Sequence, residues 1–371
     1  MCIVLSIPVC SIRIGAAPTS PEKLPEEEIK KDVVAVQANG FMVIPHLYYK
    51  PETQVAGGLV FITYFRPSTQ LPLNIRPSTI ATTFTYTQNK QFIWQLFPEF
   101  YMDNEKLHIV GAMEYLNYPN LFYGIGNDTP AANKEHYTSD IFRSRVELQR
   151  DVWNRLYLGI VYQYEWSHVT KAEEGGMIAK RDVPGSRGGN YSSGAGFSVT
   201  YDTRDNNLYT TKGEHYQFTA IAFNKFFGSG YDFLKYTLDI RKYFPTYKNQ
   251  ALALQGYANV ISGTAPFEML SQLGGKQLMR GLFMGRYRDN DMVLLQSEYR
   301  MHILWRFGTV VFASVGDVMH RLEYLDVKDF KVAYGSGIRF CINTAEKINA
   351  RIDYGRCGDF NAFYITIGEA I

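Results

Sequence analysis

The sequence has no long hydrophobic run, although 46% of its 371 residues are hydrophobic. A helix that crosses a bilayer needs about 18 consecutive apolar residues, so a transmembrane helix is excluded. Disorder is excluded as well, because aromatic and β-branched residues occur throughout the chain. The classes that remain are a soluble all-β protein and a membrane β-barrel, in which apolar residues occupy alternate positions.

Charge is also scarce and nearly balanced. Charged residues make up 20% of the chain, and 38 Lys and Arg against 36 Asp and Glu leave a net charge of +2. Soluble proteins usually carry about 25% charged residues. Because the positive and negative charges nearly cancel, we expect no nucleic-acid partner and no polybasic membrane patch. Aromatic residues are instead abundant, with 27 Tyr, 24 Phe and 4 Trp.

Signatures of catalysis and of metal or cofactor binding are missing. The sequence contains no Gly-x-Ser-x-Gly motif, no paired-histidine zinc motif and no phosphate-binding loop. Its four cysteines, at positions 2, 10, 341 and 357, lack the spacing of a zinc site. We predict that the protein is not an enzyme and that it holds no metal or other cofactor.

The N-terminal region differs in composition from the rest of the chain. Residues 1–17 form a short apolar stretch that ends in small residues, but Arg13 interrupts it and a basic start is missing. This segment resembles an atypical or truncated signal peptide. Residues 18–40 are polar and are predicted to be a periplasmic linker, because so few polar residues cannot bury a core. The β region is predicted to cover residues 41–371.

From residue 41 onward, polar and apolar residues alternate with the period of two that is typical of strands. In 346–354, for example, Arg351 and Asp353 share one face, whereas Ile352 and Tyr354 lie on the other. The segments run about 10–14 residues, the length that a tilted strand needs to cross a bilayer. Charged residues on the polar faces fit a wide, wet lumen better than the core of a sandwich.

We predict an all-β fold, a transmembrane antiparallel β-barrel of about sixteen strands, an even number as in bacterial barrels. The long connections 117–137, 168–189 and 263–290 each follow an odd-numbered strand, so we expect them outside the cell and the short turns in the periplasm. The connection 66–77 is an exception, because it is long for a periplasmic turn. The predicted strands are 41–49, 54–66, 78–88, 91–102, 105–116, 138–151, 154–167, 190–202, 213–226, 231–244, 249–262, 291–304, 308–317, 330–342, 346–356 and 360–371.

The segment between the eighth and ninth predicted strands contains Tyr201-Asp202-Thr203-Arg204-Asp205-Asn206, followed by Gly213. It resembles a signature of the outer-membrane insertase and two-partner-secretion transporter superfamily, which includes BamA and TamA and whose barrel is also called the bacterial surface antigen domain. We interpret the motif as a periplasmic turn that is pinned by pairing of aspartate with arginine and closed by glycine.

A second motif lies in the connection 263–290, where Met279-Arg280-Gly281-Leu282 resembles the Arg-Gly-aromatic tip of the family's loop six. We call this connection loop six. The resemblance implies that it folds back into the lumen and that Arg280 meets an acidic partner on the barrel wall. Strand parity directs Glu298 inward and makes it the predicted partner, with Arg300 on the same face.

The chain departs from the family at two positions of this site. Ser314 stands where the family's Phe-x-Asp-x-Gly pattern has an acidic residue, so we expect Glu298 or Asp317 to hold Arg280 instead. Leu282 stands in the aromatic position of the loop tip, although Phe283 follows it.

The first and last predicted strands contain residues that weaken pairing. Pro45 cannot donate to a strand ladder, and Gly368 lies near the end of the last strand. The resemblance implies a poorly paired seam between these strands that serves as a lateral gate. A local bulge or kink at each position is the alternative.

The resemblance covers most of residues 41–371 and implies a barrel in the outer membrane of a Gram-negative bacterium that takes part in outer-membrane protein or lipid assembly or export. We expect that the segment before the predicted barrel leaves no room for the family's periplasmic polypeptide-binding domains. The expected partners are therefore a separate periplasmic protein, outer-membrane lipid, and unfolded protein or lipid clients. The alternatives are a passive channel or structural barrel without insertase activity, and a barrel module whose enzymatic or binding partner is encoded separately.

Overall fold

The computed structural model describes residues 39–65, 78–103, 106–186, 188–206, 209–248, 250–344 and 347–371. Within these residues sixteen strands form one closed antiparallel barrel in chain order, which confirms the predicted fold. The predicted signal segment, most of the predicted linker and the connection 66–77 lie outside the described residues. The barrel strands are β1 (Asn39–Lys50), β2 (Gln54–Phe65), β3 (Ser78–Thr87), β4 (Phe92–Met102), β5 (Leu107–Phe122), β6 (Glu135–Trp153), β7 (Leu156–Ala172), β8 (Asn190–Asp202), β9 (Gly213–Phe223), β10 (Phe233–Tyr247), β11 (Gln250–Gly263), β14 (Asp291–Leu304), β15 (Phe307–Met319), β16 (Lys331–Asn343), β17 (Ile348–Cys357) and β18 (Phe360–Ile367).

Two further strands, β12 (Ser271–Leu273) and β13 (Tyr287–Asp289), pair with each other inside loop six. Helical segments occur in the connections between strands. Within the described residues, no helix is long and apolar enough to cross a membrane. The helical segments are α1 (Met177–Lys180) and the 3-10 turns Ala131–Asn133, Lys225–Phe227, Phe267–Met269, Leu322–Tyr324 and Val327–Asp329.

Most strand boundaries lie within about three residues of the predicted ones, and β8 and β14 agree at both ends. The predicted ends of the fifth and seventh strands are wrong, because β5 continues to Phe122 and β7 to Ala172, so the connections 117–137 and 168–189 are shorter than predicted. The predicted continuation of the last strand to residue 371 is wrong, because β18 ends at Ile367. Gly368 has a φ of +82°, a left-handed conformation that cannot continue a strand. Its N–H still donates to the Asn349 carbonyl of β17 at 2.9 Å, so the strand ends with this last hydrogen bond to its neighbour.

The two faces of the wall differ as the alternation predicts. On β17, Arg351 and Asp353 are buried, whereas Ile352 and Tyr354 are exposed on the outside. Long connections, including loop six, lie at one end of the barrel, which we call the loop end. At the opposite turn end, β6–β7 and β14–β15 are joined by two residues each. An apolar outer face around charged inner residues is the arrangement of a membrane barrel.

The barrel closes where β1 meets β18, and we call this junction the seam. Among the described residues, β1 and β18 share one register pair, Tyr49 with Ile365. On its other side β1 pairs with β2 along its whole length. The closure is therefore weaker at the seam than along the neighbouring wall.

Candidate functional site

Loop six packs against the inner wall of the barrel. Its apolar residues Leu273, Met279 and Leu282 are buried and form one hydrophobic cluster with Met292 and Leu294 of β14. Apolar burial contributes roughly 25 cal/mol per Å² of apolar surface, so this packing stabilises the loop against the wall. It also fixes the position of the neighbouring Arg280.

Arg280 connects the tip of loop six to two strands. Its Nη2 donates to Oε2 of Glu298 on β14 at 2.6 Å, and its Nη1 donates to Oδ2 of Asp353 on β17 at 2.7 Å. The guanidinium lies 3.5 Å from the centroid of the Phe312 ring on β15. Arg280 is 2% exposed and both carboxylates are fully buried. A planar guanidinium suits this arrangement, because it donates in two directions and stacks on a ring at the same time.

The two carboxylates have further arginine partners. Glu298 accepts from Nε of Arg300 at 2.8 Å, and Asp353 accepts from Nη1 of Arg339 at 2.5 Å. Buried charges are tolerated when they are paired and hydrogen-bonded, and here each carboxylate has at least two cationic neighbours. We call the whole group the loop-six cluster; it consists of Arg280, Glu298, Arg300, Arg339, Arg351, Asp353 and Glu369.

Two glycines let the loop backbone touch the wall. Gly281 has a φ of +116°, and a Cβ there would lie 2.9 Å from the backbone of Arg356. A Cβ at Gly355 of β17 would lie 2.7 Å from the carbonyl group of Arg280. Gly281 requires glycine because of its left-handed backbone conformation. Both positions also require it because the backbones of loop six and β17 approach each other closely.

Of the predicted wall residues of the anchor, Glu298 and Arg300 belong to the loop-six cluster, whereas Asp317 lies outside it. Glu298 contacts Arg280, and Arg300 belongs to the same cluster. The alternative in which Asp317 holds Arg280 is wrong. Asp317 lies nearer the loop end of β15, opposite Val293, where it accepts from Nζ of Lys331 at 2.8 Å.

Ser314 supplies no charge to the cluster, and its buried Oγ has no hydrogen-bond partner within the described residues. Asp353, Arg339, Arg351 and Glu369 were not predicted as members of the cluster. The inward parity of Asp353 beside Arg351 was visible, but nothing in the sequence relates β17 to loop six. The second carboxylate for Arg280 therefore comes from β17 and not from position 314 on β15.

The motif that follows β8 forms a local turn at the turn end. Nε and Nη2 of Arg204 donate to Oδ1 and Oδ2 of Asp202 at 2.9 and 2.6 Å. Asp205 accepts from the N–H groups of Thr211 and Lys212 at 2.9 and 3.3 Å. Burial raises the pKa of Asp205, but these bonds and the Thr211 hydroxyl outweigh it and hold the pKa below its ordinary value.

Gly213 closes this turn with a φ of +105°, and a Cβ there would lie 2.4 Å from the carbonyl oxygen of Thr203.

The two residues that were predicted to weaken the seam lie apart from each other along it. Pro45 stands in the middle of β1, opposite Leu59 of β2, and Gly368 follows the last residue of β18. Neither lies in the one register pair of the seam.

An apolar outer wall, a charged lumen and an inward loop held by a buried arginine define a transmembrane β-barrel with an anchored lumenal loop. Residues 79–368 match the family model described as the Omp85 superfamily domain, and the chain belongs to that superfamily. The predicted resemblance is thereby confirmed.

Solved structures that share this fold include BamA and CdiB. BamA from Haemophilus ducreyi lacking POTRA domains 1–3 aligns over 89% of this chain and 70% of its own, with 12% identity and a TM-score of 0.62. CdiB from Acinetobacter baumannii aligns over 89% of this chain and 59% of its own, with 9% identity and a TM-score of 0.59. CdiB from Escherichia coli aligns over 87% and 62%, with 10% identity and a TM-score of 0.54.

These identities establish the shared fold alone, and the chain spans less than two thirds of either CdiB chain. The comparison with curated proteins finds no sequence match.

Proposed function

We propose that this barrel lies in the outer membrane of a Gram-negative bacterium and takes part in the assembly or export of outer-membrane proteins or lipids. The observation that carries the proposal is the anchored loop six, in which Arg280 pairs with Glu298 and Asp353 inside a barrel of the Omp85 superfamily. A loop that occupies the loop-end part of the lumen, and a seam with one register pair among the described residues, favour handling of clients at the wall over free diffusion through the pore. The protein acts through binding and conformation, without catalysis or a cofactor.

A separate periplasmic partner is part of the proposal. At the turn end, the described connections Asn154–Arg155 and Trp305–Arg306 are two residues long and carry no inserted domain. Another protein would then receive clients in the periplasm and deliver them to the barrel, whose outer face contacts membrane lipid.

Depletion of the protein in its own cells tests this role. We expect the abundance of other outer-membrane proteins to fall, or lipid asymmetry to be lost, and the wild-type chain to restore both. An Arg280→Ala chain that is produced and folded should restore them only partly. An unchanged outer-membrane proteome and unchanged lipid asymmetry after depletion would exclude the role.

A passive channel is the second candidate, and one observation favours it. A cavity of about 620 Å³ remains in the turn-end part of the lumen. Recording from single barrels in planar bilayers separates the candidates. Small, erratic conductance is expected when loop six plugs the lumen, and large, stable conductance would support the channel. Charged pairs line this cavity, among them Arg145, Glu147, Asp202, Arg204, Asp239 and Arg241.

A further inference from the structure

Among the described residues, the seam has less backbone pairing than the wall beside it. A strand edge without a full partner leaves N–H and C=O groups unpaired, and such edges separate or recruit other strands. Between β1 and β18 the described ladder is limited to Tyr49 and Ile365. Loop six passes this place on the inside of the barrel and contacts both sides of the seam.

On the β18 side the contact is the hydroxyl of Tyr364. This side chain is fully buried. Its hydroxyl accepts from the N–H of Gly281 at 3.2 Å and donates to the carbonyl of Leu282 at 3.1 Å. One oxygen atom therefore holds two consecutive residues of loop six.

On the β1 side the contact is Glu52, in the turn that follows β1. Its Oε1 accepts from the N–H of Met284 at 2.7 Å, and the side chain is 4% exposed. Its carbonyl accepts from Nδ2 of Asn89 and Nε2 of Gln91 at 3.0 and 2.9 Å, which fixes the turn to the β3–β4 connection. A buried carboxylate requires such a donor, because an unpaired charge in this place is costly.

We propose that residues 281–284 of loop six are a clasp that holds the seam closed from the inside, and that Glu52 and Tyr364 are its two positioning residues, one on each side. The clasp directly follows Arg280, so the loop-six cluster fixes its start on β14 and β17. Separation of β1 from β18 then requires that one end of the clasp be released. This inference deepens the proposed function, because the seam is where the family resemblance predicts an opening.

Backbone amide exchange of the full chain in lipid nanodiscs tests the clasp without any client. Glu52→Ala releases the β1 side, and Tyr364→Phe releases the β18 side by removal of one oxygen. We expect each variant to speed amide exchange in β1 and β18 about tenfold. This factor corresponds to the loss of one hydrogen bond to a charged carboxylate, or of the two hydrogen bonds that a single hydroxyl makes. Exchange in β9 and β10, on another part of the wall, should not change.

The double variant provides the sharpest test. A segment that is released at either end no longer joins the two strands. In the variant that combines Glu52→Ala with Tyr364→Phe, the amides of β1 and β18 should therefore exchange no more than about twice as fast as in either single variant. Multiplied effects would mean two independent contacts and would overturn the clasp. Unchanged exchange at the seam in both single variants would overturn it as well.

Glu147→Ala is a matched control, because Glu147 is an equally buried carboxylate with its own partners, Arg145 and Ser198. It should speed exchange around β6–β8 and leave the seam unchanged; equal acceleration at the seam would reveal general loosening and contradict the proposal. If Glu52→Ala fails to fold, Glu52→Gln keeps an acceptor oxygen without the charge and should give a smaller acceleration at the seam. The depletion experiment tests the proposed function and the amide-exchange experiment tests the clasp. Either one can give a negative result while the other gives the expected one, so the two proposals are tested independently.

Discussion

The loop-six cluster and the turn after β8 both depend on arginine–carboxylate pairs, yet the pairs differ in burial and in sequence separation. In the turn, Arg204 and Asp202 are two residues apart, and their side chains are 14% and 23% exposed. In the cluster, Arg280 is 18 residues from Glu298 and 73 from Asp353, and none of the three is more than 2% exposed.

The difference shows that the same chemistry has two structural consequences. A partly exposed local pair adds little free energy, because water screens it, and it shapes one turn. A buried pair between distant residues joins separate strands, and the loss of one partner leaves an uncompensated charge. The two regions also meet, because Nη1 of Arg300 donates to the carbonyl of Thr210 in the turn at 2.9 Å.

The largest effect is expected when a carboxylate is removed from the cluster, which contains four guanidinium groups and three carboxylates. Glu298→Gln should lower the free energy of unfolding by about 4 kcal/mol, because Arg280 and Arg300 lose a shared buried anion. Heat-modifiable gel mobility and guanidinium unfolding measure the change. Asp202→Asn is the matched change in the turn and should cost less than about 1 kcal/mol; equal losses would remove the distinction between the regions.

Arg280→Ala should have the second-largest effect. It removes two hydrogen bonds to carboxylates, worth about 3 kcal/mol together, but Glu298 and Asp353 keep Arg300 and Arg339 as partners. Loop six should then become accessible to protease in the folded barrel, as limited proteolysis would show. Arg204→Ala serves as the control, and protection of loop six that persists in Arg280→Ala would contradict the anchoring role.

Gly281→Ala should cost about 2 kcal/mol, because it combines a left-handed backbone with a close approach to β17. Gly126 has nearly the same φ, +121°, with open space around it. Gly126→Ala therefore isolates the conformational cost, about 1 kcal/mol, and both are read from unfolding midpoints. If the two variants lose the same stability, the close approach of loop and wall contributes nothing.

The smallest effect concerns the turn and pH. Hydrogen bonds to Asp205 hold its pKa below the ordinary value, so their stabilisation is present at neutral pH and is lost as pH falls from about 4 through the lowered pKa. Protection of the Thr211 and Lys212 amides, corrected for intrinsic exchange, should fall over this range. Asp205→Asn should remove the pH dependence, whereas a dependence that persists would assign it to another group.

Much of this architecture could be predicted from the sequence alone. Alternation of the kind seen at Arg351–Tyr354 located the strands and their faces, because the side-chain period of a strand is a local property of the backbone. The same holds for the turn at Asp202–Gly213, whose partners are neighbours in the chain. Parity also directed Glu298 inward, toward the place that loop six occupies.

The tertiary structure alone decided which distant groups meet. The second carboxylate for Arg280 is Asp353 and not Asp317, the last strand ends at Ile367, and loop six spans the seam between Glu52 and Tyr364. These contacts depend on how the barrel closes and on the register of strands far apart in the chain. A period of two assigns each side chain to a face, but it carries no information about which residue lies opposite across the lumen.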